Sequence, residues 1–237
     1  MPHETQKYAP SANRLLAGLP KKDYLQLLPN LEQFSLNFGS ILQEPGEIIR
    51  HVYFPASGIV SLLATTGSKA SLEVGMIGNE GMLGVPAFMG VTTTRERAVV
   101  QGSGVAWRMR TTVLRTECSN GSKLPQLLNR YTNSLLTQLR QSAVCNRFHP
   151  IEARLARWLL MTRDRMGANE FQMTQEYLSH MLGVRREGVN KAAGGLQRRK
   201  LVSYSRGTLT ILKETALEAV ACECYRIIKD EYDSLTE

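Results

Sequence analysis

The stretch from Leu182 to Leu201, LGVRREGVNKAAGGLQRRKL, crowds side chains able to grip a polyanion into one short segment. Arg185, Arg186, Glu187 and Asn190 stand at its start, and Lys191, Arg198, Arg199 and Lys200 follow. An Arg fork can meet guanine O6 and N7 together, Asn can bridge adenine N6 and N7, and Glu can accept from cytosine N4, so the first four are candidate base readers. The later four, with Arg206 beyond them, suit phosphates, contacts that position a protein without reading sequence. A solvated charged helix is the alternative. Against it, Val184, Val189, Ala192 and Leu196 recur on the opposite side, leaving one face to bury and one to meet a partner.

Other chemistries find fewer residues. No Gly-rich phosphate loop, nucleophile elbow or paired catalytic carboxylates emerge, so no catalytic or cofactor-binding residue is expected. A metal-dependent cupin-type enzyme would need several histidines and a Glu converging on an ion, and the region rich in short strands offers only His51. His3, His149 and His180 lie elsewhere, and His3 and His51 do not by themselves suggest haem. The four cysteines, at 118, 145, 222 and 224, are too few and too irregular for a disulfide framework and are expected to be reduced. If Cys222 and Cys224 share a helix they point about 200° apart and cannot hold one ion, so no metal ligand is expected.

The chain of 237 residues carries a net charge of +8 and has room for two ordinary domains. Residues 147–213 hold thirteen bases against five acids, a local net of +8, whereas 214–237 holds seven acids against two bases. Charge concentrated in one C-terminal block is the footprint of a nucleic-acid module. No apolar run reaches the length of a membrane span and MPHETQKYAPSANRLL is too polar for a secretory signal, so a cytoplasmic protein without a membrane partner is expected.

The elements that position these residues follow from pattern. Residues 40–115 alternate short β-branched and aromatic runs with turns such as PASG and GSG, which predicts a sandwich or jelly roll. From Lys123 the period lengthens: Leu124, Leu128, Tyr131, Leu135 and Leu139 form one helical stripe, to be buried either against the β-region or in a two-helix seam. His149-Pro150 interrupts, and a new helix with Ile151, Leu155, Trp158 and Leu159 inward runs to Gly167. Then Thr174 as N-cap, Leu178 and Leu182 inward, small Ser179 and a turn at Gly183 spell a helix-turn-helix, with the charged stretch as its second helix. Arg185 is a poor N-cap there, and Gly188, Gly194 and Gly195 weaken the helix unless close packing requires them. Val202 and Tyr204, then Leu209 and Ile211, alternate around SRGT as a hairpin, with Gly207 in the turn, which makes the module winged.

Over nearly its whole length the chain resembles the Crp/Fnr family of bacterial transcription regulators. MTQEYLSHMLGVRREGVNKAAGGLQRRKLVSYSRGTLTIL is similar to that family's DNA-binding domain, the β-rich half to its cyclic-nucleotide-binding-type jelly roll, and the helix at 123–146 to its dimerisation helix. The resemblance implies an α+β chain: a sensor domain over 1–122, a dimerisation helix over 123–146, a winged helix-turn-helix over 147–213 and an acidic C-terminal helix over 214–237. It implies a homodimer on near-palindromic double-stranded DNA, with RNA polymerase as a further partner, and favours the dimer seam for the Leu124 to Leu139 stripe. It also puts Arg186, Glu187 and Lys191 at or beside the base-reading positions. The nucleotide-binding members hold ribose with a Glu and the cyclic phosphate with an Arg, and here Val85 stands at the first place and Glu96 with Arg97 at the second. A carboxylate facing phosphate repels it, so neither cyclic AMP nor cyclic GMP is the expected ligand; a shifted pocket using Arg97 or Arg95 is the alternative.

Overall fold

The computed structural model describes residues 9–65 and 71–236, so His3 and the polar start of the chain lie outside them. Two short helices, α1 (Arg14–Ala17) and α2 (Lys21–Leu27), precede seven strands: β1 (Glu32–Leu36), β2 (Ile41–Gln43), β3 (His51–Pro55), β4 (Ile59–Thr65), β5 (Ser71–Ile77), β6 (Arg97–Gly102) and β7 (Gly104–Arg110). They pair antiparallel in two sheets, β1-β7-β3 and β2-β6-β4-β5, which enclose Val52, Phe54, Ile59, Val60, Met76, Val100, Ala106 and Met109. The predicted turns pack backbone to backbone. A Cβ on Gly58 would stand 2.6 Å from the Gly102 carbonyl oxygen, and only glycine tolerates that approach together with its φ of 83°.

Helix α3 (Val85–Phe88) lies between β5 and β6, and α4 (Thr111–Ser119) leads to the long α5 (Leu124–Phe148). The α5 stripe corrects one expectation. Leu124, Leu128, Tyr131 and Leu135 are buried within the single chain, and the Tyr131 hydroxyl donates to the Met82 carbonyl at 3.2 Å. Only Leu139 of the five is half-buried. A side chain without free surface cannot form a seam with a second copy, so Leu124, Leu128, Tyr131 and Leu135 are core. What α5 leaves in the open is a different face, with Leu136 at 41% and Val144 at 42% exposed.

Beyond the elbow at His149 and Pro150, α6 (Ile151–Met166) is buried on nearly every side and ends at Gly167, with φ 64°. Strand β8 (Glu170–Gln172), α7 (Gln175–Leu182), α8 (Arg186–Arg198), β9 (Val202–Ser205) and β10 (Thr208–Ile211) complete the module, with sheet order β8-β10-β9. The acidic tail is two helices rather than one, α9 (Glu214–Glu218) and α10 (Cys224–Asp233). The chain turns between them, so that Leu217 packs inward on α9 and Tyr225, Ile228 and Tyr232 pack inward from α10. One continuous apolar core runs from the strands through α5 and α6 into this module.

Candidate nucleic-acid interface

Local chemistry sets the two crossing helices. The Thr174 hydroxyl accepts from the Tyr177 N–H at 3.1 Å and caps α7, and Gly183 in the left-handed region at φ 62° ends it. Leu178, Leu182, Val189, Ala192 and Leu196 close the interior between α7 and α8. Val184 is only half-buried, at the mouth of the turn. Arg185 is the N-cap of α8 and makes no side-chain cap, so tertiary packing compensates. A Cβ on Gly195 would meet the carboxylate end of Glu152 on α6, and one on Gly188 would lie 2.9 Å from Ile151 Cδ1, so both glycines face α6, against side-chain ends that can shift.

The outward face holds every candidate base reader, since Arg185, Arg186, Glu187 and Asn190 are all exposed at the start of α8. Lys191, Arg198, Arg199 and Lys200 are exposed as well, and Arg206 projects at the hairpin tip. They are not equivalent. Arg199 is ion-paired with Glu152, so its charge is balanced within the chain. Arg206 and Gly207 both have positive φ, 50° and 81°, which makes the two-residue turn that matches strand twist. Tyr204 braces the wing by donating to the Met173 carbonyl at 2.8 Å.

A cleft of about 400 Å³ opens between α7, α8 and the wing, lined by Thr174, Gln175, Arg186, Tyr204 and Arg206. Two guanidinium groups, the N-terminus of α7 and the Glu176 carboxylate thus converge on one hollow. Sequence pattern placed Arg186 and Arg206 separately and did not join them, because β8, which holds the wing to the start of α7, is only three residues long.

The module rests on the strand-rich half. Trp158 Nε1 donates to Glu73 Oε1 on β5 at 2.8 Å, the Ser61 hydroxyl donates to the other oxygen at 2.5 Å, and Tyr177 of α7 lies 6.0 Å from the Phe38 ring. Burial pushes the Glu73 carboxyl up to about 7, partly opposed by the Ser61 and Trp158 donors. In the strand-rich half, Val85 is buried in the first turn of α3. Arg97 Nε lies 2.8 Å from Glu44, and the Glu96 carboxylate accepts from the Thr94 hydroxyl at 3.3 Å. Both charged groups are already engaged. His51 borders a separate cleft of about 370 Å³ with Gln43, Arg50, Tyr53 and Thr94.

One group of metal-binding residue types was not anticipated. Cys145, His149, Cys222 and Cys224 bring their donor atoms within 4.8 Å of one another. The reading that Cys222 and Cys224 diverge fails because Cys222 precedes α10 instead of lying on it. The available signal was Cys145 and His149, four residues apart at the end of α5.

Residues 153–220 match the Crp-like helix-turn-helix domain family. No curated protein sequence gives a significant match to the chain. Among solved structures, FixK2 from Bradyrhizobium japonicum is similar with a TM-score of 0.70 at 14% identity, over 81% of this chain and 98% of that one. A CRP/FNR-family transcriptional regulator from Thermus thermophilus gives 0.64 at 19% identity, over 80% and 98%. The c-di-GMP responsive global regulator CLP of Xanthomonas campestris gives 0.65 at 16% identity, over 81% and 99%. The chain therefore carries a Crp-like helix-turn-helix domain on the fold of Crp/Fnr regulators.

Proposed function

We propose that the chain is a sequence-specific DNA-binding transcription regulator that acts as a homodimer and is not an enzyme. One observation carries this reading: α8 buries Val189, Ala192 and Leu196 while Arg186, Glu187, Asn190 and Lys191 stand free on the opposite side. That division suits a helix whose N-terminal half enters the major groove. Arg185, Arg186, Glu187 and Asn190 read bases, and Lys191, Arg198, Lys200 and Arg206 meet phosphates. Arg199 contributes less, because Glu152 shares it.

The second copy docks along the open face of α5, where Leu136, Ala143 and Val144 are exposed beside Arg140 and Arg147. This replaces the inward stripe as the seam. The sensor half does not respond to cyclic AMP or cyclic GMP, since Val85 lacks a ribose ligand and Arg97 is held by Glu44. The site of action is the cytoplasm, with RNA polymerase as a further partner.

Selection of bound duplexes from random DNA tests the reading. Two inverted half-sites about one helical turn apart are expected, with affinity falling steeply as salt rises. Recovery of unpaired half-sites, or a flat salt response, would remove the dimeric reading or the phosphate-dominated interface respectively. Calorimetry with either cyclic nucleotide is expected to give no heat of binding.

A further inference from the structure

Four side chains that the DNA interface does not use meet where α5, α6 and α10 join. Cys145 lies in the last turn of α5 and His149 caps that helix, so the two project from one side. Cys222 sits in the turn after α9 and Cys224 opens α10. Because the turn, and not a helix, carries Cys222, both thiols reach the same place. Cys145 Sγ lies 3.4 Å from Cys222 Sγ, and Cys224 Sγ lies 3.6 Å from His149 Nδ1.

Those spacings have the scale of one coordination sphere. A tetrahedral ion with metal–sulfur bonds of about 2.3 Å holds its sulfurs about 3.8 Å apart. An iron–sulfur cluster spreads its four ligands over two or four irons and needs ligands on different irons farther from one another than the 4.8 Å that spans all four donors here. All three cysteines are buried, at 0%, 7% and 1% exposure, so the thiols are screened from water.

Two further features point to an ion and not to packed thiols. His149 turns Nδ1 toward the sulfurs while its Nε2 lies 3.2 Å from the Glu223 carboxylate, the outer partner that orients a ligating imidazole. Three thiolates and a neutral imidazole around a dication leave one net negative charge. Arg154 and Arg157 are buried within electrostatic reach of Cys145, and the Nε of each has no hydrogen-bond partner among the described residues. Cysteines acting only as small apolar fillers need neither a histidine nor two guanidinium groups beside them.

We propose that Cys145, His149, Cys222 and Cys224 form a mononuclear tetrahedral site for a thiophilic divalent cation of the zinc class. Binding replaces thiol protons, which pass to solvent, and moves no electrons. Four protein ligands leave no open position, so the ion is structural: it fastens the start of α10 to the end of α5.

The test uses the full chain, purified under thiol reductant, stripped with a chelator and titrated with Co²⁺. One Co²⁺ per chain is expected, with the intense visible bands of tetrahedral thiolate coordination, bleached by one equivalent of Zn²⁺. Cys145→Ser and Cys224→Ser should abolish those bands, Glu223→Gln should weaken Co²⁺ binding about 10- to 100-fold, and Cys118→Ser, outside the group, should leave binding unchanged. The wild-type titration stands whether or not the serine variants fold. A pale octahedral spectrum, equal loss in Cys118→Ser, iron with labile sulfide in the isolated chain, or a Cys145 to Cys222 disulfide that persists under reductant would each overturn the proposal.

Discussion

Arginine does opposite work at the two ends of the DNA-binding module. On α8 and the wing, Arg185, Arg186, Arg198 and Arg206 stand in solvent. On α6, Arg154, Arg157 and Arg165 are buried, at 6%, 7% and 7% exposure, and serve the chain itself. Arg165 Nε meets Glu80 at 2.8 Å, its Nη1 donates to the Met161 carbonyl, and its guanidinium covers the Tyr232 ring. Arg154 donates to Asn146 at 2.7 Å and to the Leu182 carbonyl, gripping the end of α7. Arg163 pairs with Asp164 and Glu214. A charge count over residues 147–213 therefore overstates what the module offers to DNA. Five of its thirteen bases, Arg154, Arg157, Arg163, Arg165 and Arg199, are buried or paired.

The comparison breaks most visibly at Arg165. Replacement by Met leaves Glu80 buried without its partner, which should cost about 3–5 kcal/mol of stability. Chemical denaturation measures it, with Arg186→Ala as the exposed counterpart, expected to change stability by less than about 0.5 kcal/mol. Equal effects would end the distinction between the two sets.

Glu73, beneath Trp158, tests the junction by pH. Its carboxyl is held up at about 7 by burial, from an ordinary value of 4.5. Between those values the unfolded chain has lost the proton and the folded chain keeps it. Stability should therefore fall as pH rises from about 4.5 to about 7 and level off above, by roughly 1–3 kcal/mol. Glu73→Gln should flatten that slope in thermal unfolding at pH 5 and pH 7.5, and an unchanged slope would assign the effect to another group.

On the exposed side, Arg186→Ala should lose about 1–3 kcal/mol on the selected site and relax the preference at one base pair per half-site. Arg198→Ala should instead weaken all duplexes alike and lower the salt slope by about 1. If both variants behave alike, Arg186 contacts phosphate and reads no base. The smallest effect is expected at Glu152→Gln, which frees Arg199: non-specific affinity should rise slightly and the salt slope with it, while a decrease would mean that Glu152 positions α8 instead of competing with DNA.

What the sequence disclosed was mostly local. Thr174, Gly183 and Gly207 act on neighbours within a few residues, and the helix-turn-helix and wing were legible almost to their ends. The turns of the strand-rich half were legible for the same reason. Partners distant in the chain were not. Periodicity indicated that Leu128 and Tyr131 are buried, yet no pattern distinguishes a β-sheet from a second helix as the cover. Strand β8 has three residues and exists through its pairing with β10, 36 positions away at Gln172 and Thr208. The break from Ala219 to Glu223 carries neither Gly nor Pro, so the tail read as one helix and the thiol group stayed hidden.

Only His149 and Pro150 separate the long α5 from α6. The proline ring fixes its own φ, at −63°, and confines the preceding residue to extended backbone, where His149 lies with ψ 142°. Three torsions are thus left to aim everything beyond, and each has little play. A helix of 16 residues is about 24 Å long, so a swing of about 10° at this joint carries its far end about 4 Å. That is more than the reach of a hydrogen bond. Small changes of angle at two residues are therefore enough to re-aim the helix-turn-helix that α6 carries.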